Sequence, residues 1–276
     1  MSELAVITGT THGIGRVTSR ELARAGKTVV MLCRDLEAAR AVRTEIMQHA
    51  PRARVEAVRC DLASLASVRE AAAQVRRDFP PLGLLVNNAG MVSTRRRASV
   101  DGVERTCATN HLGPFLLTAL LSDHLDRGAR IVMVASRIHY RGRLDLGAVT
   151  DSHARYRATA AYARSKLANV MHSFALARRM AGAGISVNCL HPGVVATNLL
   201  PRWLRAIKPL ITRVMFDAER GARTTLHLAL DPGIAGQSGR YFDEYQRPRT
   251  ASALANDVEL QEVLWKMSAA WTGAPQ

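Results

Sequence analysis

The sequence is short of long apolar runs, of paired cysteines and of acidic side chains, and each shortage excludes something. No stretch approaches the ~18 uninterrupted apolar residues that would read as a membrane-spanning helix. The opening MSELAVITG lacks the basic segment and following apolar run of a signal peptide. A soluble protein of the cytoplasm is therefore expected, with no transmembrane segment. The four cysteines, Cys33, Cys60, Cys107 and Cys189, are scattered, with no pair at metal-site or redox-motif spacing. Three lie in or beside apolar runs and read as small buried hydrophobes, which suits a reducing compartment. His12, His111, His139 and His191 do not form a compact ligand set, so no metal is expected. Ser136 and Ser165 lack the G-x-S-x-G elbow of many serine hydrolases. Against 38 basic residues stand only 23 acidic ones, a formal charge of +15 over 276 residues. The basic residues come in small clusters, such as Arg76-Arg77, Arg95-Arg96-Arg97 and Arg178-Arg179, rather than one block. That pattern reads as a solvated surface and not as a nucleic-acid-binding stripe.

What the chain does have is alternation. Short apolar runs at Leu4 to Ile7, Thr28 to Cys33, Arg54 to Arg59, Leu82 to Val86, Arg130 to Val134 and Ile185 to Leu190 read as strands. Between them, Ile14 to Ala25, Leu36 to His49, Leu65 to Phe79, Gly102 to Leu125 and Tyr162 to Ala181 read as helices. Near-continuous apolar strands separated by helices predict a parallel sheet covered on both faces. The crossover rule makes it a doubly wound α/β fold of Rossmann type, in which ligands bind outside the carboxyl ends of the strands. With no linker rich in Pro, Gly or Ser, residues 1–276 are read as a single domain.

The suspicious residues fall at those strand ends. Thr8-Gly9-Thr10-Thr11-His12-Gly13-Ile14-Gly15 joins the first strand to the first helix. Gly9 permits a tight turn, Gly13 removes a side chain where a diphosphate approaches, and Gly15 allows close packing of the helix. After the second strand stands Arg34, whose fork of donors suits the 2′-phosphate of NADP, while Asp35 reads as the cap of the next helix. Arg16 is a second candidate cation there. Asp61-Leu62 after the third strand offers a carboxylate to an adenine amino group. Asn88, Ala89 and Gly90, following Asn87, let a ring or ribose approach the backbone.

Tyr162 and Lys166 are separated by one helical turn and share a face. An ammonium beside a phenol favours phenolate, so the tyrosine is expected to have a lowered pKa and to exchange a proton with an alcohol or carbonyl oxygen. Lys166 also reaches toward cofactor ribose hydroxyls. Ser136, beyond the fifth strand, can hold the substrate oxygen, and Asn110 can hold a water that links Lys166 to solvent. Hydride must come from a nicotinamide, because no side chain carries one.

These motifs resemble those of the short-chain dehydrogenase/reductase superfamily over nearly the whole chain. Thr8 to Gly15 looks like its glycine-rich cofactor motif and Asn87 to Gly90 like its N-N-A-G motif. Asn110, Ser136, Tyr162 and Lys166 match its catalytic tetrad. The resemblance further implies a cofactor-side loop containing Pro192, Gly193, Val195 and Thr197, with Thr197 bonding the carboxamide. Cys33-Arg34-Asp35, Asn110-His111-Leu112-Gly113 and Leu190-His191-Pro192-Gly193 are similar to the retinol dehydrogenase branch, which implies NADP preference. Two departures matter. Ala135-Ser136 replaces the pair of serines common there, and no N-terminal apolar anchor precedes the first strand. The expectation is a soluble bacterial-type NADPH-dependent carbonyl reductase (a ketoreductase), reversible as an alcohol dehydrogenase. A C=C reductase and a non-catalytic NADP-sensing protein are the alternatives. Residues 198–216 are read as a lid: Trp203, Leu204, Ile207, Leu210, Ile211, Val214 and Met215 recur at mostly helical spacings, which suits a hydrophobic, aromatic or polycyclic substrate. A homodimer or homotetramer is compatible with the sequence.

Overall fold

A computed structural model of the chain describes residues 2–151, 153–193 and 217–275. Val195, Thr197 and the 198–216 lid therefore lie outside the described residues. The centre is a sheet of eight strands in the order β3-β2-β1-β4-β5-β6-β7-β8. β1 (Leu4–Thr8), β2 (Thr28–Cys33) and β3 (Val55–Arg59) run to one side. β4 (Leu82–Asn87), β5 (Leu125–Val134), β6 (Ser186–Leu190) and β7 (Arg240–Phe242) run to the other. All these pairings are parallel; the two-residue β8 (Pro248–Arg249) returns antiparallel to β7. The order reverses between β1 and β4, and a parallel sheet opens a crevice at such a switch.

The central strands are buried on both faces, which is why β1, β2 and β4 are apolar without alternation, whereas β3 at the margin exposes Glu56 and Arg59. In β1, Leu4 and Val6 point to one side and Ala5 and Ile7 to the other. α1 (Gly13–Arg24), α2 (Leu36–His49) and α6 (Ala218–Leu230) cover the Ala5/Ile7 face through Leu22, Val42, Ile46 and Leu228. α3 (Leu65–Asp78), α4 (Gly113–Leu121) and α5 (Ala158–Arg179) cover the opposite face through Val68, Val75, Leu116, Leu117 and Leu176. α7 (Val258–Thr272) lies over α4 and α5, with the Trp265 ring 5.0 Å from Phe115 and 5.6 Å from His172. Among the described residues no helix is long and apolar enough to cross a membrane.

Several boundaries differ from the sequence-based expectation. The long helix read over Gly102 to Leu125 is divided: a turn at Arg105–Cys107, a π-helical segment at Ala108–Leu112, α4, and a 3-10 turn before β5. β5 begins at Leu125, earlier than the Arg130 to Val134 run suggests. β7, β8, α6 and α7 are absent from the expected element set. Asp35 caps α2 by accepting the Ala38 amide at 3.0 Å, as expected.

Candidate active site

The strand ends open on a cavity of about 360 Å³, within the ~300–1,000 Å³ of small-molecule sites. Gly9, Thr11, His12, Gly13, Ile14 and Gly15 line one part of it, Arg34, Asp61 and Leu62 another, and Asn88, Ala89 and Gly90 its floor. Tyr162, Lys166 and Pro192 line it too. The crevice expected from the alternating pattern thus gathers residues from six separate strand ends.

The glycine turn is shaped by close approach. Gly9 has φ +71°, and a Cβ there would stand 2.8 Å from the Ala89 Cα. A Cβ on Gly15 would meet the Gly9 carbonyl oxygen at 2.2 Å and Asn88 Nδ2 at 2.5 Å, distances no side chain tolerates. His12 stands at the N-cap of α1 without a side-chain cap bond, so the first amides of the helix keep their donors for an anion in the cavity. This cradle fits a dinucleotide diphosphate.

Thr8 lies behind the turn and not on the cavity. It is fully buried, and its hydroxyl accepts the amides of Asn88 and Ala89, both at 3.0 Å. Asn88 Nδ2 returns to the Thr8 and Gly9 carbonyls at 2.8 and 3.1 Å. Thr8 therefore braces β1 against β4 where the sequence reading had it touching the cofactor. Arg16 is likewise engaged elsewhere, in an ion pair with Glu45 at 2.5 Å. Ser64 caps α3, which leaves Asp61 on the cavity wall, its carboxylate accepting the Ala63 amide at 3.0 Å.

At the inner end, Tyr162 and Lys166 project from the same face of α5. Lys166 is buried, donates to the Val134 carbonyl at 2.8 Å and places Nζ 5.7 Å from the centroid of the Tyr162 ring. Gly90 leaves room for it: a Cβ there would come within 3.3 Å of Nζ. Burial pushes the lysine down to about 8 and the tyrosine up to about 12, with a hydrogen bond to Ser136 acting against the second shift. The expected lowering of the phenol pKa by Lys166 is thus not what the structure has. Both groups sit away from water, and desolvation of the phenolate outweighs an ammonium whose own charge is disfavoured. Ser136 follows β5 in extended conformation and does not itself line the cavity; its Oγ accepts the Ile138 amide at 3.3 Å.

Asn110 sits inside the π-helical segment, fully buried. Its Oδ1 accepts the Met91 amide at 2.8 Å, and its Nδ2 donates to the Met91 carbonyl at 2.9 Å and to Ser165 Oγ at 3.0 Å. Ser165 in turn donates to the Tyr162 carbonyl at 2.8 Å. The asparagine side chain is a brace between the loop that follows β4 and the turn of α5 that carries Tyr162. Sequence reasoning missed Ser165 in this role; its position between Tyr162 and Lys166 was the available signal. It also missed Met91, Val92 and Thr109, which add an apolar margin to the cavity. Gly193 donates its amide to His191 Nδ1 at 3.2 Å and does not line the cavity. His191 is buried and faces Glu244 at 3.2 Å. Cys33 and Cys60 do line the cavity, with burial pushing their thiols up to about 11 and about 12.

The chain is similar in sequence and fold to known proteins. A family model described as short chain dehydrogenase matches residues 3–207. Human retinol dehydrogenase 13 is 36% identical over 97% of this chain and 84% of its own length. A crystal structure of a protein from Mycobacterium paratuberculosis superposes with a TM-score of 0.82 at 34% identity, covering 99% of this chain and 95% of that one. A structure from Beutenbergia cavernae, described as an NAD(P)-dependent gluconate 5-dehydrogenase with NADP bound, superposes at a TM-score of 0.70 and 27% identity, over 87% of this chain and 94% of that one.

Proposed function

We propose that this chain, which belongs to the short-chain dehydrogenase family and its retinol dehydrogenase-like branch, is an NADP(H)-dependent carbonyl reductase, reversible as an alcohol dehydrogenase. The observation that carries this reading is the meeting of Tyr162 and Lys166 at one end of a cavity whose other end is the glycine turn. When bound, the nicotinamide supplies hydride to a carbonyl carbon or takes it from an alcohol. Gly9, Gly13, Gly15 and the amides of α1 would hold its diphosphate, and Arg34 its 2′-phosphate. Among the described residues Arg34 has no ion-pair partner, and the NADP in the Beutenbergia cavernae structure supports the same preference.

In reduction, Tyr162 gives its phenolic proton to the carbonyl oxygen; in oxidation it takes the alcohol proton. A phenol pushed up to about 12 by burial is loaded as an acid in the neutral range, which favours reduction; oxidation needs the phenolate that Lys166 stabilises. Lys166, the nearest cation, stabilises the phenolate left after transfer. Ser136, hydrogen-bonded to Tyr162, orients the substrate oxygen. Asn110 and Ser165 fix the turn of α5 on which the proton donor stands. Met91 and Val92 favour an apolar substrate beside the reacting carbon.

Replacing Tyr162 by Phe should leave NADPH binding within about twofold and cut carbonyl reduction by at least about 100-fold, the usual contribution of general acid catalysis. Turnover at the wild-type rate would remove Tyr162 as the acid. Product analysis on conjugated ketones separates the chemistry: loss of the double bond with the carbonyl retained would make the protein a C=C reductase.

A further inference from the structure

Arg34 directly follows the last residue of β2, and Arg59 is the last residue of β3. Parallel pairing sets Cys33 opposite Arg59, so the two arginines emerge at the same edge of the sheet from adjacent strands. Both are exposed, and both line a shallow surface hollow together with Asp35, Leu36 and Glu37. That hollow shares Arg34 and Asp35 with the main cavity and so continues it past the end of β2.

The acids nearby are already engaged. Asp35 accepts the Ala38 amide as the cap of α2. Glu37 is ion-paired with Arg40, and Glu56 faces Arg43 at 3.5 Å. Among the described residues neither Arg34 nor Arg59 has an ion-pair partner. Two guanidinium groups bordering one concavity, neither with an ion-pair partner among the described residues, suit a compact dianion, because each fork offers paired donors to phosphate oxygens.

We infer that Arg59 is a second phosphate-recognising side chain, and that Arg34 and Arg59 hold the 2′-phosphate of NADP(H) between them. This rests on the NADP(H) reading of the cavity. It goes beyond it in moving half of the cofactor discrimination from the end of β2 to β3. Arg34 alone contacts the phosphate from one side; Arg59 closes the other.

The test is equilibrium binding of NADPH and NADH, by calorimetry or cofactor fluorescence, to the wild type, Arg34→Ala, Arg59→Ala and Arg59→Lys. The expected result is that Arg59→Ala raises the NADPH Kd by about tenfold or more while NADH is unchanged, as for loss of a charge-assisted hydrogen bond. Arg59→Lys, which keeps the charge and loses the fork, should fall between. Unchanged NADH binding also shows that the variants are folded. Adenosine 2′,5′-bisphosphate against 5′-AMP repeats the comparison at the adenosine end alone. An Arg59→Ala protein that binds NADPH normally, while Arg34→Ala does not, overturns the inference and leaves the cofactor reading standing. Equal weakening of NADPH and NADH by Arg59→Ala overturns it as well, assigning the side chain to the adenine. A wild type that binds NADH as tightly as NADPH overturns both.

Discussion

Lys166 is an ammonium inside the protein with a carbonyl oxygen for company, and its position has a cost that pH can expose. Its pKa falls from 10.5 to about 8 because burial disfavours the charge. Below about 8 the lysine is protonated in both folded and unfolded chains, and folding bears the full desolvation. Between about 8 and 10.5 the folded chain has shed a proton that the unfolded chain keeps, so this group makes stability rise with pH across that window. The gain is on the order of 3 kcal/mol. Lys166→Met should lack that rise: relative to the variant, the wild type should be more stable at pH 10 than at pH 7. Urea unfolding of both proteins at the two pH values measures it, and parallel changes in the two would count against a buried, desolvated lysine. The same residue is catalytic in the proposed reaction, so a stabilised variant is expected to be an inactive one.

At the scale of elements, α7 docks through Trp265, beside buried Leu264 and a Ser268–His111 hydrogen bond at 2.8 Å. Trp265 meets Phe115 edge-on at 5.0 Å and His172 at a tilt at 5.6 Å, and carries the Arg179 guanidinium 3.9 Å from its ring. Arg179 is fixed in turn by Glu262 at 2.6 Å. Trp265→Ala should cost about 3 kcal/mol and be visible as a lowered midpoint in thermal unfolding; a loss under about 0.5 kcal/mol, the scale of an ordinary surface change, would mean that α7 docks by other contacts. The elements that the sequence made legible were those with clear patterns: β1, β2 and β4 are apolar because both faces are covered, and α2 and α3 start at readable caps, Asp35 and Ser64. β7 was too short for any period, and Gly102 to Leu125 is apolar enough to read as one helix although its backbone changes winding at Ala108. α7 carried a readable signal, Asp257 ahead of Leu260 and Leu264 at helical spacing. At the site, spacing located Tyr162 and Lys166. It could not distinguish a residue that touches the cavity from one that supports it, which is why Thr8 and Asn110 turn out to be braces. It also could not weigh burial, which decides the Tyr162 pKa.

For the molecule as a whole, the excess of charge bears on encounter more than on folding. A surface of net charge +15 presents a long-range field to a polyanionic dinucleotide. Cofactor association should therefore slow as salt rises, with kon falling several-fold between 50 and 500 mM as the screening length drops from about 14 to about 4 Å. Stopped-flow binding of NADPH measures this; a salt-independent kon would place the productive charge only at the arginines that touch the ligand.

The sheet also has margins. At one stands β3, whose exposed Glu56 and Arg59 keep its rim charged. At the other stands β8, only Pro248 and Arg249, with Arg249 drawn to Asp243 at 2.6 Å. Proline has no amide hydrogen to donate, and a charged rim resists a flat neighbour. Neither margin is built to recruit a strand from another molecule. Among the described residues, sheet-to-sheet propagation, the route by which exposed strands aggregate, is guarded at both ends.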